Sequence, residues 1–289
     1  MKKTTPIAEG IYFGEGPRWH NDRLWFSDFY AHAVKSVSES GDLRIELELE
    51  DQPSGLGWLP DGRLLLVAMK ERAVKRLDPE GLVLHANIEH LTAHLCNDMV
   101  VDANGTAWVG NFGFDLDAGL KTRAAEILAD PPKANLVRVD ADGSACIASP
   151  DMAFPNGMVV SPDGTTLIVA ETLGGKLTAF TINDDNSLRN RRVWASVEGT
   201  CPDGICLNEN NQVWFANALA PEVVLVAEGG EIIERVETTQ NCYACMLGGE
   251  DGKTLFAVTA QASDHNTAGA AATGKIESVR VDAARAGWP

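Results

Sequence analysis

One short pattern recurs six times along this chain, and it limits the fold more than any other feature. A small or acidic residue, often followed by glycine, opens an apolar run; a turn and a second apolar run follow. The copies read EGPRWHNDRLWFSD from Glu15, SGLGWLPDGRLLLVAM from Ser54, NDMVVDANGTAWVGN from Asn97, NGMVVSPDGTTLIVAE from Asn156, DGICLNENNQVWFAN from Asp203 and ACMLGGEDGKTLFAVT from Ala244. Seven places on stand the turn residues Asp22, Asp61, Asn104, Asp163, Asn210 and Asp251. Copies begin 39 to 59 residues apart, close to one four-stranded blade, and a period of about 20–50 residues marks repeat folds. Asp-Gly and Asn-Gly pairs between apolar runs are strong hairpin signals. An alternating third strand follows each hairpin, as in HAVKSVSES and ANLVRVDADG.

The pattern predicts an all-β, six-bladed propeller around a central channel. Residues 1–289 read as one domain, with IAEGIYF near the N-terminus supplying a strand to the last blade. An insertion at about 115–133, FDLDAGLKTRAAEILADPPK, interrupts the third blade. A helical turn is expected within it, acting as a lid or rim over a pocket. The segment MKKTTPIAEG has no apolar stretch long enough for a signal peptide or a membrane span, so a cytoplasmic setting is expected. In that setting the six cysteines remain thiols. A net charge of −17 argues against nucleic acid and anionic membranes as partners and leaves a small molecule as the expected one. Composition leaves the oligomeric state open.

The first position of the repeat opens the innermost strand, so its side chain points to the channel mouth. Two copies carry a carboxylate there, Glu15 and Asp203, and two an amide, Asn97 and Asn156. A single Asp or Asn opening a strand commonly bonds nearby backbone and does nothing more. Four at equivalent positions ask for another reason. Two buried carboxylates facing each other repel unless a cation lies between them. Oxygen ligands suit hard ions such as Ca²⁺, Mg²⁺ or Mn²⁺. With three or four protein ligands, positions stay open for water or substrate, as a catalytic site requires.

On these residues the chain resembles the regucalcin and gluconolactonase family, also called the senescence marker protein and luciferin-regenerating enzyme family. The likeness runs over almost the whole chain. It rests on EGPRW, FSDFYAHAV, ND-x-x-VD from Asn97, PNGM-x-x-SPDG from Pro155, NRRVW from Asn190 and PDGIC from Pro202. The resemblance implies a divalent cation held at Glu15, Asn156 and Asp203, with Asn97 contacting substrate or a bound water. It also implies lactone hydrolysis. Ca²⁺ is the first expectation; Zn²⁺, Mn²⁺ and Mg²⁺ serve other members. Asp203 is the general-base candidate and Asn97 the group to orient the carbonyl or its oxyanion. No G-x-S-x-G elbow offers a serine route.

The chain departs from the sugar-lactone pattern at two points. Relatives of that type carry arginine two residues before the Asn97 position and an acidic residue on the next strand; here Leu95 and Phe114 stand there. A slip of one residue would bring Asp115 into play. With Phe112, Phe154 and Met158 close by in sequence, an apolar or aromatic substrate pocket is expected. A gluconolactonase-type sugar lactonase is the alternative, followed by a strictosidine-synthase-like enzyme or a protein-binding platform. Cys242-Tyr-Ala-Cys245 reads as two small apolar side chains more than as a redox or zinc pair. His94 is placed to assist proton transfer, Cys96 and Cys201 to line the mouth, and Trp25, Trp108 and Trp214 to pack the blades.

Overall fold

Each copy of the repeat folds as a hairpin whose turn needs a left-handed backbone. Gly62, Gly105, Gly164 and Gly252 hold φ of 86°, 83°, 72° and 71°. In the two copies without glycine, Asn21, Asp22 and Asn211 take φ of 48°, 58° and 58°, as short polar side chains do at least cost. The turn carboxylates close the loops further: Asp61, Asp163 and Asp251 accept from the amides of Arg63, Thr165 and Lys253 at 3.0–3.1 Å.

The computed structural model describes residues 1–289, and its strands form six sheets arranged as blades of a propeller. The innermost strands of blades 1 to 6 are Gly14–His20, Pro53–Trp58, Cys96–Val101, Pro155–Val160, Pro202–Asn208 and Cys242–Gly248. Each blade runs outward from there as an antiparallel meander. Thr5–Ile11 pairs with Gly274–Arg280 as the outermost strand of blade 6, so the first long strand completes the last blade. Lys2–Lys3 lies along the outer edge of blade 5, and Arg285–Ala286 along its inner strand. Between the second and third strands of blade 3 stands the single α-helix, α1 (Leu116–Ala129), capped by Asp115, whose carboxylate accepts from the Ala118 amide at 3.0 Å.

Apolar residues of facing sheets fill the space between blades. Trp108, Trp194, Trp214, Phe26, Phe180, Phe215 and Phe256 are fully buried, each contributing about 1.5–3 kcal/mol of transfer free energy. Trp108 and Trp214 thus pack as their strand positions suggest. Trp25 is half-buried and meets Trp58 edge-on at 5.5 Å.

At the axis the inner strands approach backbone to backbone, and at Gly55, Gly157 and Gly204 no side chain fits the gap. A Cβ on Gly55 would lie 2.2 Å from the Met99 amide nitrogen; one on Gly157 would lie 2.5 Å from the Asp203 carbonyl. Gly204 would meet the Ala244 side chain at 2.5 Å. Substituting Gly55→Ala is expected to cost about 1–3 kcal/mol through overpacking. A urea midpoint unchanged from native would show that blades 2 and 3 can separate freely.

Candidate active site at the channel mouth

Every innermost strand slips its pairing by one residue near its start; in five of them the ring residue drops out of the ladder toward the axis, and in blade 1 Glu15 stays opposite Ser27 just ahead of the slip. The six residues at that place are Glu15, Ser54, Asn97, Asn156, Asp203 and Tyr243, all 1–7% exposed. The sixth corrects the sequence register, which put Ala244 there. Cys242 pairs with Thr259 as Pro202 pairs with Asn217 and Pro53 with Ala68. Blade 6 carries one extra residue before its turn, seen in the bond from Gly252 N to Gly249 O. Counting back from Asp251 therefore misses by one, and Ala244 instead occupies the small-residue position of Gly55 and Gly204.

A second set of buried polar groups holds the segments leading into this ring. Asp28 accepts from the amides of Tyr12 and Phe13 at 3.2 and 3.0 Å, and from Lys35 Nζ at 2.7 Å. Asp51 caps Gln52 at 2.6 Å, Glu171 caps Ala153 at 2.7 Å and Asn217 caps Cys201 at 3.2 Å. Each capped amide lies two or three residues ahead of a ring residue. The ring side chains are thus fixed from both directions along the chain.

Within the ring the amides form a directed chain. Ser54 Oγ donates to Asn97 Oδ1 at 3.3 Å, Asn97 Nδ2 to Asn156 Oδ1 at 2.9 Å, and Asn156 Nδ2 to Thr172 Oγ1 at 3.1 Å. Each amide oxygen keeps a lone pair and Asn97 keeps an N–H for another partner. The carboxylates are left in conflict. Glu15 is held well above the usual carboxylate range by burial, then by Asp203 and Asp98. Asp203 is raised by burial and by Asp98, with the Asn156 amide pulling the other way. Asp203 Oδ1 is buried without a hydrogen-bond partner. Two buried carboxylates, one with an orphaned oxygen, beside two amide oxygens fit a hard divalent cation, which would satisfy the orphan and cancel the repulsion. No three His, Cys, Asp or Glu side chains converge, so such an ion would depend on amide and water oxygens to complete its shell.

Glu15, Asn97, Asn156 and Asp203 together form the floor of one cavity of about 560 Å³. Its walls combine aromatic rings with polar side chains: Phe13 meets Phe29 at 5.3 Å and Tyr243 at 4.9 Å, and Phe112 meets Phe154 at 4.9 Å, all near edge-on, while Gln52, Lys70 and Asn241 also line it. Leu95 and His94 also line it, His94 Nδ1 having no partner. Leu116, Asp117 and Leu120 of α1 form one rim, and residues 262–265 of blade 6 the other. Tyr30 ties the second rim down, donating from Oη to the Ser263 carbonyl at 2.6 Å. Burial, with Asp117 and Asp264 nearby, raises the Tyr30 hydroxyl and keeps it a donor.

Two residues expected in the substrate pocket lie elsewhere. Met158 is fully buried between blades with Trp108 and Val169, because it follows the bulge and re-enters the ladder. Phe114 is half-buried under α1 against Gly119; Asp115, its neighbour, is the one at the cavity. Cys96 is packed in the core and Cys201 is half-buried, and neither lines the mouth. Cys242 and Cys245 sit in the apolar core, where Cys245 faces Cys206 at 4.0 Å. Sequence reading missed Phe13, Phe29, Tyr30 and Tyr243. Extending the repeat two residues upstream would have aligned Phe13 with Leu95 and Phe154, and the bonds from Phe29, Phe112 and Thr172 N to those carbonyls confirm that alignment.

A family model described as SMP-30/Gluconolactonase/LRE-like region matches residues 13–261. The chain is 23% identical over 259 residues to a 6-deoxy-6-sulfogluconolactonase of Pseudomonas putida, covering 86% of this chain and 84% of that one. It is 24% identical over 280 residues to a gluconolactonase of Zymomonas mobilis, covering 86% and 77%. Among solved structures it is similar to the calcium-binding protein regucalcin from Agrobacterium tumefaciens, with a TM-score of 0.77 at 21% identity, over 99% and 94% of the chains.

The raised carboxyls make stability depend on pH and cation together. A raised folded-state value contributes stability that is complete below the unfolded value and is lost as pH rises through the folded one. In chelator, Tm should therefore fall as pH rises above the ordinary carboxylate range, and Ca²⁺ should restore more at the higher pH. Glu15→Gln should flatten that chelated profile. Parallel profiles for native protein and variant in a thermal-shift series would show that Glu15 is uncoupled from Asp203.

Proposed function

The chain belongs to the SMP-30/gluconolactonase/LRE-like family, and on that premise we propose that it is a hydrolase that opens lactones or related cyclic esters bearing apolar or aromatic groups. The observation that carries this reading is the orphaned oxygen of Asp203 facing Glu15 beneath an aromatic-walled cavity. Glu15, Asn156 and Asp203 are the residues proposed to hold a divalent cation. Ca²⁺ is favoured by the all-oxygen donor set, and similarity to a calcium-binding regucalcin supports the same choice. Bound there, the cation would polarise the ring carbonyl and lower the pKa of a water.

The chain's own groups supply the remaining chemistry. Asp203, ionised, takes the proton from the attacking water and passes it to the alkoxide oxygen as the ring opens, so no other acid is needed. Asn97 is already oriented by Ser54 and Asn156. Its free N–H is the donor for the carbonyl oxygen as negative charge gathers there. Phe13, Phe112, Phe154 and Tyr243 exclude water and take the apolar portion of the substrate, while α1 and residues 262–265 bound the entrance.

The gluconolactonase names of the relatives favour a sugar lactone as the second reading. Against it stand the aromatic rings grouped around Phe13 and Phe112, because sugar hydroxyls left unpaired against them would cost about 1–3 kcal/mol each, although Gln52, Lys70 and Asn241 elsewhere in the cavity could pair some. Burying a ring-sized apolar group instead contributes roughly 1.5–3 kcal/mol, about ten- to a hundredfold in kcat/KM if retained in the transition state. Dihydrocoumarin is therefore expected to exceed gluconolactone by at least about tenfold in kcat/KM on one cation-loaded preparation. The reverse preference would return the chain to the sugar lactonases. Asp203→Asn should lower kcat by about 10²-fold or more while far-UV circular dichroism stays native; turnover within a few-fold of native would remove Asp203 as the base.

A further inference from the structure

The strand that carries Glu15 also carries Arg18, which is 3% exposed and lies beneath the ring. Its guanidinium uses its donors in three directions. Nε donates to the Leu56 carbonyl at 2.9 Å, Nη1 to the Pro17 carbonyl at 2.7 Å, and Nη2 to Asp98 Oδ1 at 2.8 Å and to the Met99 carbonyl. Leu56 and Met99 lie two residues beyond Ser54 and Asn97 on the inner strands of blades 2 and 3. One side chain therefore joins three consecutive blades directly below Glu15, Ser54 and Asn97.

Asp98 is the unusual member of its own repeat position, where the other blades have Gly16, Gly55, Gly157, Gly204 and Ala244. It is also 3% exposed, and its Oδ1 accepts from the Met99 amide at 2.7 Å as well as from Arg18. A buried ion pair is weak evidence of a stability device, since an apolar pair of similar volume often serves as well. The fork of the guanidinium is what an apolar pair, or a lysine, cannot copy. Arg18 also borders a separate cavity of about 330 Å³, among Trp19, Trp58 and Trp288.

We propose that Arg18, aimed by Asp98, is a positioning residue that sets the spacing between the strands of Glu15 and Asn97, and so the geometry in which the ring oxygens meet a divalent cation and a substrate carbonyl. The inference rests on the reading given under Proposed function. It adds a clamp that touches neither cation nor substrate.

The test titrates Ca²⁺ alone into chelator-treated protein by calorimetry, well below the unfolding temperature, and measures kcat and KM for dihydrocoumarin at saturating Ca²⁺. Arg18→Met is expected to lose about 10- to 100-fold in Ca²⁺ affinity and a similar factor in kcat, with KM nearly unchanged, as losses of groups that orient ligands typically do. Arg18→Lys should recover only part of this, since an ammonium cannot span the same acceptors. Asp98→Asn keeps an acceptor for Arg18 and should fall several-fold less than Arg18→Met. Native Ca²⁺ affinity and kcat in folded Arg18→Met would overturn the proposal, as would an Asp98→Asn loss as large as that of Arg18→Met, which would assign the effect to charge. If Arg18→Met does not fold, Arg18→Lys decides, and native behaviour in it overturns the clamp. The native protein judges the underlying reading separately: absence of both Ca²⁺ binding and ester turnover defeats that reading, whereas native activity with indifferent variants defeats only the clamp.

Discussion

How closely six extended backbones can approach one axis governs the rest of this molecule. At Gly55, Gly157 and Gly204 the neighbouring inner strand passes so near that no side chain fits. That contact leaves one residue per strand, just before the glycine in four blades and before Asp98 or Ala244 in the other two, facing the channel mouth. The bulge at the start of each inner strand completes the rotation. Close packing of backbone thus converts a linear repeat into a ring of facing side chains. The chemistry of the ring follows from which residues stand there, and two of the six are acids under 10% exposed.

Rigidity in this ring comes from its support as much as from its strands. Asp28, Asp51, Glu171 and Asn217 each bind backbone amides ahead of a ring position. A buried polar group with its partners in place specifies one arrangement, whereas the same group unpartnered is costly. The molecule uses both conditions side by side. The supporting carboxylates and amides are satisfied, while Asp203 Oδ1 in the ring is not. The difference separates the groups that hold the site from those able to act in it.

The blades, the strand that closes them and the ring residues Glu15, Asn97, Asn156 and Asp203 were legible because repetition reports geometry: equivalent residues in equivalent hairpins must face the same way. Legibility failed where equivalence failed. One extra residue before the Gly249–Gly252 turn moved the sixth ring position from Ala244 to Tyr243. Met158 and Phe114 were placed by nearness in sequence, yet a strand turns each successive side chain to the opposite face, and α1 covers Phe114. The Arg18–Asp98 pair joins residues 80 apart, and nothing local in EGPRW or ND announces the partnership. Tyr30 reaches Ser263 across two blades in the same way.

The manner of closure has a kinetic meaning. Thr5–Ile11 can take its place only against Gly274–Arg280, so the final sheet is unfinished until opposite ends of a long stretch of chain have met. Contacts of such sequence separation are slow to form, because loop entropy is lost before pairing compensates for it. Glu15 follows directly on that strand, whereas Asp203 belongs to a blade formed far along the chain. The two acids are thus brought together from distant parts of the chain, and a chain in which they have not met carries none of the electrostatic conflict that the ring imposes on them.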